Sequence, residues 1–434
     1  MGQVQEHSGT VIVGACQAGV QLATTMRELG YAHPITLVGA EHELPYQRPP
    51  LSKGMLLGEI AAESLAFRSK EFFAAKGIRI ILGEKVDSIR RAHQRGGVVI
   101  TSAGRVVAFD KLALTVGARP RRLAVKGADA RNVMYLRSMG DAVALREALM
   151  SASRIAIIGG GFIGLEVAAS ASKLGKSVTV ALADQRIMAR AVGPMMSAHF
   201  EQAHREQGVN ILTSISIEEI ETTADGLASA VLLGDGRRIE ADLILVGIGA
   251  EPSIELAQQL GLKVGNGIVV DRYCVTSDGQ TVAAGDCADV PNPTPENGLG
   301  TRARFESVNA AVEQARTAAA SLVGAKSAYQ LAPWFWTDQF DLKLQAVGVM
   351  TAHDAHVVRG DPEAGKFGVL YYRAGRLIAG EFVNSPSDFM ATRAIIWAGK
   401  TVAMEEASDL ARPLKSLGRP IEQQLNAGGI VHAS

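Results

Sequence analysis

Cysteine is nearly missing from this chain, with three in 434 residues: Cys16, Cys274 and Cys287. No two are close enough for a Cys-x-x-Cys redox pair, so the plain reading is small apolar residues in a reducing compartment. Aromatics are scarce at 5%, which suits an α/β interior packed from Ala, Val, Ile and Leu. Neither sign of charge is in excess, since 44 Lys and Arg balance 44 Asp and Glu. That balance argues against nucleic-acid binding, whose affinity rests on neutralising phosphates. Long apolar runs are missing as well. The most apolar stretch, residues 155–165, stops at Glu166, well short of the roughly 20 residues that cross a bilayer. Residues 1–8 hold no basic segment followed by an apolar one, so no secretory signal is read and a cytoplasmic location is expected.

What is present has a repeating plan. A chain of 434 residues is too long for one core, and two or three domains are expected. Residues 10–13 form an apolar, β-branched run, followed by Gly14-Ala15-Cys16-Gln17-Ala18-Gly19. Leu22, Met26 and Leu29 then recur at helical spacing, Gly30 ends the helix, and residues 35–38 predict a second strand. The plan returns at Arg154. Residues 155–158 read as a buried strand, then come Gly159-Gly160-Gly161-Phe162-Ile163-Gly164. A helix burying Ile163, Val167, Ala171 and Leu174 is predicted next, then a strand over 178–182.

A glycine turn between a strand and a helix aims the free N–H groups of the helix at a phosphate. The second turn is a complete G-x-G-x-x-G. The first carries Cys16 where the second glycine belongs, the position that lets backbone approach a pyrophosphate. A third element, residues 281–286, is a strand ending in Gly285-Asp286 whose carboxylate can accept a hydrogen bond from a sugar-like hydroxyl. Strand-like runs at 98–100, 106–109, 228–233 and 243–246 predict β-meanders inside both units. From Tyr329 the texture changes, with Pro333-Trp334-Phe335-Trp336 and several short strand candidates.

With these elements the chain resembles the NADH-dependent ferredoxin reductases of bacterial oxygenase systems, the putidaredoxin and rubredoxin reductase group of two-dinucleotide-binding flavoproteins. The stretches carrying the likeness are Pro45-Tyr46-Gln47-Arg48-Pro49-Pro50-Leu51-Ser52-Lys53, Tyr135-Leu136-Arg137-Ser138 and residues 159–166. They continue with Gly247-Ile248-Gly249-Ala250-Glu251-Pro252, residues 284–288, Glu306-Ser307-Val308, and Pro333-Trp334-Phe335-Trp336-Thr337-Asp338-Gln339. The resemblance implies an α/β fold of glutathione-reductase-like architecture, with two Rossmann-like domains and a C-terminal α+β domain. Its segments would be 1–118 and 250–326 for FAD, 119–249 for NAD(P)H, and 327–434 for the C-terminal reductase domain.

The resemblance also implies a site. Lys53 would lie beside the flavin near its N5 edge, where a positive charge favours the reduced form. Glu166 would stand behind the nicotinamide, and Trp336 would approach the flavin and complete the path for electrons. Gly14, Cys16, Ala18, Gly19, Ala40, Glu41, Arg48, Val86, Thr115, Gly117, Arg137, Gly285, Asp286 and Val308 would border FAD. Gly159, Gly161, Phe162, Ile163, Gly164, Leu182 and Gly249 would border NADH, with NADPH a possible donor.

This sequence departs from the family's pattern at four places. Cys16 replaces the pyrophosphate glycine, Ala40 an acid for the FAD ribose, Val116 the middle of an Ala-Thr-Gly stretch, and Leu182 the acid for the 2′-hydroxyl of NADH. Arg186 and Arg190 follow Leu182 and read as solvated charges, with a 2′-phosphate contact the alternative. Disulfide reductases and the related peroxidases need cysteines beside the flavin, and residues 46–53 contain none. The expected partner is a small iron–sulfur ferredoxin, with neither nucleic acid nor membrane, and the chain a monomer or homodimer. Two alternatives stand beside this: a reductase of organic radicals resembling monodehydroascorbate reductase, and a flavoprotein with weakened cofactor binding kept as a regulatory subunit.

Overall fold

The computed structural model describes residues 8–92, 96–294 and 300–421; most of the stretch read above for a secretory signal lies outside them. Each glycine turn springs from the middle of a five-stranded parallel sheet. In the first sheet Thr10–Val13 lies between Ile35–Val38 and Lys111–Leu114, and Val282–Ala283 closes the far edge beside Lys111–Leu114. In the second, Arg154–Ile158 lies between Ser177–Ala181 and Leu243–Val246. Thr10–Val13, Ile35–Val38 and Leu243–Val246 are buried at every position, as expected of parallel strands covered on both faces. That is why they read as continuous apolar runs rather than alternating ones.

A three-stranded antiparallel meander interrupts each unit: Val86–Arg91, Gly97–Thr101 and Val106–Phe109 in the first, Ile217–Thr222, Ala228–Leu233 and Arg238–Glu240 in the second. An antiparallel pair, Ala118–Pro120 with Ala250–Pro252, carries the chain out of the first unit and back. The C-terminal part is a five-stranded antiparallel sheet in the order Trp334–Gln339, Leu342–Gly348, Arg376–Val383, Lys366–Arg373, Ala355–Asp361. Helix Pro386–Trp397 packs on it through Phe389 and Ile395.

Two helical expectations need correction. Leu22 and Met26 are buried, but Leu29 lies past the end of helix Gln17–Glu28 and is 47% exposed. In helix Phe162–Lys173, Val167 and Ala171 are buried while Ile163 is 43% exposed and Leu174 lies beyond the last turn. This helix instead buries a continuous run from Gly164 to Ala171, Glu166 and Ser170 included. A single apolar stripe cannot describe it, because the C-terminal sheet packs over the side that a two-layer fold leaves to solvent. Phe335 of that sheet meets Phe162, their ring centroids 5.0 Å apart. Among the described residues no helix is long and apolar enough to cross a membrane.

Candidate functional site

The two glycine turns share one stereochemistry. Gly14 and Gly159 hold φ of +114° and +111°, and a Cβ on either would sit within 2.3 Å of a backbone carbonyl, that of Thr115 or Gly247. Only glycine fits there. The middle glycine is different: Gly161 has an ordinary φ of −82°, and a Cβ added to it meets no heavy atom within 4 Å. Nothing in the protein requires a glycine at that position, so the open space suits a ligand. Cys16 occupies the matching place in the first turn with extended backbone, φ −131° and ψ −172°, and its Sγ donates to the Thr115 carbonyl at 3.1 Å. Its side chain is therefore tied to the neighbouring loop. Both following helices start with no side-chain cap and no acid in the first turn. Their N-terminal N–H groups remain available to a phosphate.

Around the first turn, Thr115 is buried and donates to the Gly14 carbonyl at 2.9 Å. Gly285, at φ +85°, lies over Ala18 near the start of helix Gln17–Glu28, and its N–H donates to Gln314 Oε1 at 2.8 Å. Asp286 is thereby held at the mouth of the turn, paired with Arg137 at 2.8 Å, and Arg137 in turn lies against Gly117. Val308 opens helix Val308–Leu322, capped by the Ser307 side chain. Val86 is buried at the start of its strand.

Glu41 sits beside the exposed Ala40, but its carboxylate is already engaged. It accepts from Arg48 at 2.6 Å and from the Tyr46 hydroxyl at 2.5 Å. Burial would raise its pKa; the Arg48 charge, the Tyr46 hydroxyl and the Met139 N–H outweigh it and hold the group below its usual range. Arg48 also donates to the Arg137 carbonyl at 2.5 Å, which links the first unit to the bend before helix Met139–Ser151.

The second turn faces a junction of three parts of the chain. Glu166, 4% exposed on helix Phe162–Lys173, receives Lys53 Nζ at 2.7 Å. The Ser52 hydroxyl donates to its other oxygen, and Thr337, from the C-terminal sheet, donates to Oε1 at 2.6 Å. Ser170, one turn on, donates to the Ser52 carbonyl at 2.9 Å. Lys53 and Glu166, more than a hundred residues apart in sequence, thus form one ion pair. Trp336 does not join it. Strand residues alternate faces, so Trp336 lies opposite Thr337, half-buried, its ring 5.6 Å from that of Trp334.

Leu182 falls one residue after strand Ser177–Ala181 and is buried, its Cδ1 lying where a Cβ on Gly160 would come within 2.6 Å. It covers the glycine turn itself. Gly249 has φ +100° and open space around it. Arg186 corrects its expectation as a solvated charge: its guanidinium donates to the carbonyls of Val192 and Ala189 at 2.8 and 2.9 Å. Arg190 is exposed. All three cysteines are free, Cys274 and Cys287 fully buried.

Ser52, Thr337 and Gln339 lie inside the motifs that carry the family likeness, but their roles, like that of His204, show only in the folded structure. The available signal was a pair of polar residues, Thr337 and Gln339, sharing with Phe335 one face of strand Trp334–Gln339, and both are buried.

The chain is similar to known proteins along most of its length. Residues 8–315 match the pyridine nucleotide-disulphide oxidoreductase family, and residues 334–418 match the reductase C-terminal family. The chain is 44% identical over 405 residues to rhodocoxin reductase of Rhodococcus erythropolis, covering 93% of each. It is 39% identical over 425 residues to putidaredoxin reductase of Pseudomonas putida, covering 97% of this chain and 99% of the other. Among solved structures it matches the crystal structure of the covalent putidaredoxin reductase–putidaredoxin complex with a TM-score of 0.89, 39% identity, and coverage of 94% and 97%.

Proposed function

Because the chain belongs to the pyridine nucleotide-disulphide oxidoreductase family, we propose that the Lys53–Glu166–Thr337 junction is where NAD(P)H meets FAD in a ferredoxin reductase. The enzyme is a flavoprotein oxidoreductase, and its electron acceptor is a small iron–sulfur protein serving an oxygenase. The observation that carries this reading is the Lys53–Glu166 pair, built from two separate nucleotide-binding units and closed by the third. The family's disulphide chemistry is not available here, since the three cysteines are free and none lies at the junction.

The protein's groups fit the two cofactors. The uncapped helix after each turn offers N–H groups to a pyrophosphate, and Asp286 stands ready to accept from a ribitol hydroxyl, with Arg137 beside it for a phosphate. When bound, the flavin accepts two electrons together from reduced nicotinamide and gives them up singly. Lys53 supplies positive charge that favours reduced flavin, and Glu166 fixes where that charge stands. Ser52 and Thr337 saturate the Glu166 carboxylate, so the ion pair stays buried without an unmet acceptor. Trp336, half-buried on the face of its strand opposite Thr337, is the residue of the C-terminal sheet assigned to electron exit. A cytoplasmic location accords with three unpaired cysteines.

The purified protein, supplied with FAD, is expected to be yellow with about one flavin per chain, and anaerobic NADH should bleach it. Cytochrome c reduction should then depend on added ferredoxin. A protein that stays colourless with FAD overturns the proposal. Reduction of organic radicals at full rate without ferredoxin favours the radical-reductase reading instead.

A further inference from the structure

The Glu166 cluster extends past Thr337 into the core. Gln339 Nε2 lies 3.2 Å from Thr337 Oγ1, and Gln339 Oε1 lies 2.8 Å from His204 Nε2. His204 is fully buried on helix Pro194–Glu206, with its ring 4.9 Å from that of Phe340. Burial holds its pKa below the usual range, offset only in part by Gln339, so the ring is neutral and carries one proton. Its Nδ1 is buried with no hydrogen-bond partner.

Hydrogen counting gives this chain of contacts a direction. Thr337 has one hydroxyl hydrogen and can give it to one acceptor. If His204 carries its proton on Nε2, it donates to Gln339 Oε1. The amide then donates to Thr337, and the Thr337 hydrogen is left for Glu166. If the proton sits on Nδ1, the amide must turn over. Its oxygen then takes the Thr337 hydrogen, and Glu166 loses a donor. The first arrangement also places the ring proton on the nitrogen that has an acceptor, since buried orphan N–H groups are rarer than orphan acceptors.

We propose that Gln339 and His204 are positioning residues that direct the Thr337 hydroxyl to Glu166 and thereby set where the Lys53 ammonium stands. The inference rests on the reading of Lys53 and Glu166 as the meeting point of flavin and nicotinamide. Without the Thr337 donor, Glu166 Oε1 is left to Lys53 alone, and the ammonium is drawn toward the carboxylate and away from the flavin.

The test uses the FAD-loaded protein. Thr337→Val should lower the limiting rate of flavin reduction by NADH about tenfold, the effect of losing one hydrogen bond to a charged group, with little change in the NADH dissociation constant. The flavin midpoint potential should fall. Thr337→Ser should restore both, which a purely structural role for the side chain does not explain. Gln339→Leu should match Thr337→Val, and the double variant should be no worse than either single one. Imidazole 15N shifts of His204 in the unmutated protein should report the neutral Nε2–H tautomer. An Nδ1–H tautomer, additive losses, or equal behaviour of Thr337→Val and Thr337→Ser overturns the proposal. Glu166→Gln separates it from the reading beneath it. If that variant changes neither rate nor potential, the junction itself is misassigned; if it changes both while Gln339→Leu changes neither, the relay alone is wrong.

Discussion

Leu182 and Cys16 both stand at glycine turns, and their surroundings give them different consequences. Leu182 spreads over the second glycine turn, where an acid would reach the 2′-hydroxyl of an adenosine ribose. Leu182→Glu should lower the Michaelis constant for NADH by about tenfold, the lower end for a charged hydrogen bond. It should raise that for NADPH by repulsion of the 2′-phosphate. The same change removes a buried apolar side chain, so the melting temperature should fall. Steady-state kinetics with both coenzymes, beside a thermal melt, check all three; unchanged constants would mean that Leu182 does not border the ribose. A side chain in the place of the second glycine is expected to crowd a pyrophosphate, yet the Cys16 Sγ is turned to the Thr115 carbonyl. Cys16→Gly should therefore change the FAD dissociation constant by less than about threefold, well under the effect of one hydrogen bond to a charged group. Flavin retention through gel filtration that rises far above wild type would show the crowding to be real.

Among the elements, the strands were the most legible. Thr10–Val13, Ile35–Val38, Val106–Phe109, Ala228–Leu233 and Leu243–Val246 lie where the apolar runs put them. Short parallel strands buried on both faces announce themselves by composition. Helix Phe162–Lys173 lies where the sequence put a helix, but its buried face was not legible, because what covers its polar side arrives from residue 334 onward and leaves no local periodicity. Helix Pro194–Glu206 makes a related contact at its start. Gly193 N–H donates to Glu381 Oε1 at 3.1 Å, and the Tyr371 hydroxyl donates to Oε2 at 2.7 Å. Glu381 is 3% exposed, on strand Arg376–Val383. Burial pushes its pKa up to about 7, against partial relief from Tyr371, Gly193 and Arg186. A raised carboxyl pKa means that the folded state keeps a proton the unfolded chain has released. Between roughly pH 4.5 and 7, stability contributed by this group therefore falls as pH rises, and above that window it is flat. Glu381→Gln should remove this slope and raise the melting temperature at pH 8 relative to wild type. Melts from pH 5 to 8 check it, and parallel curves for the two proteins would remove Glu381 as the cause.

For the whole molecule, the architecture was readable because two strand–glycine–helix units and a strand ending in Gly285-Asp286 occur in a fixed order. The junction was only half readable. Lys53 and Glu166 were each picked out by family likeness, but Thr337, Gln339 and His204 reach them through packing between distant segments. One feature of the topology bears on how the protein is made. Val282–Ala283 completes the sheet that begins at Thr10, and the whole second sheet is strung between them. A ribosome therefore releases every strand of the second sheet before the edge of the first exists. Loop closure over such a span is slow compared with local pairing, so the inserted unit is free to fold while the first waits, its glycine turn formed but Asp286 not yet in place. If Asp286 holds the flavin as proposed, flavin capture belongs to the last stage of synthesis, and a nascent chain stalled before residue 282 should fold its second unit and retain no flavin.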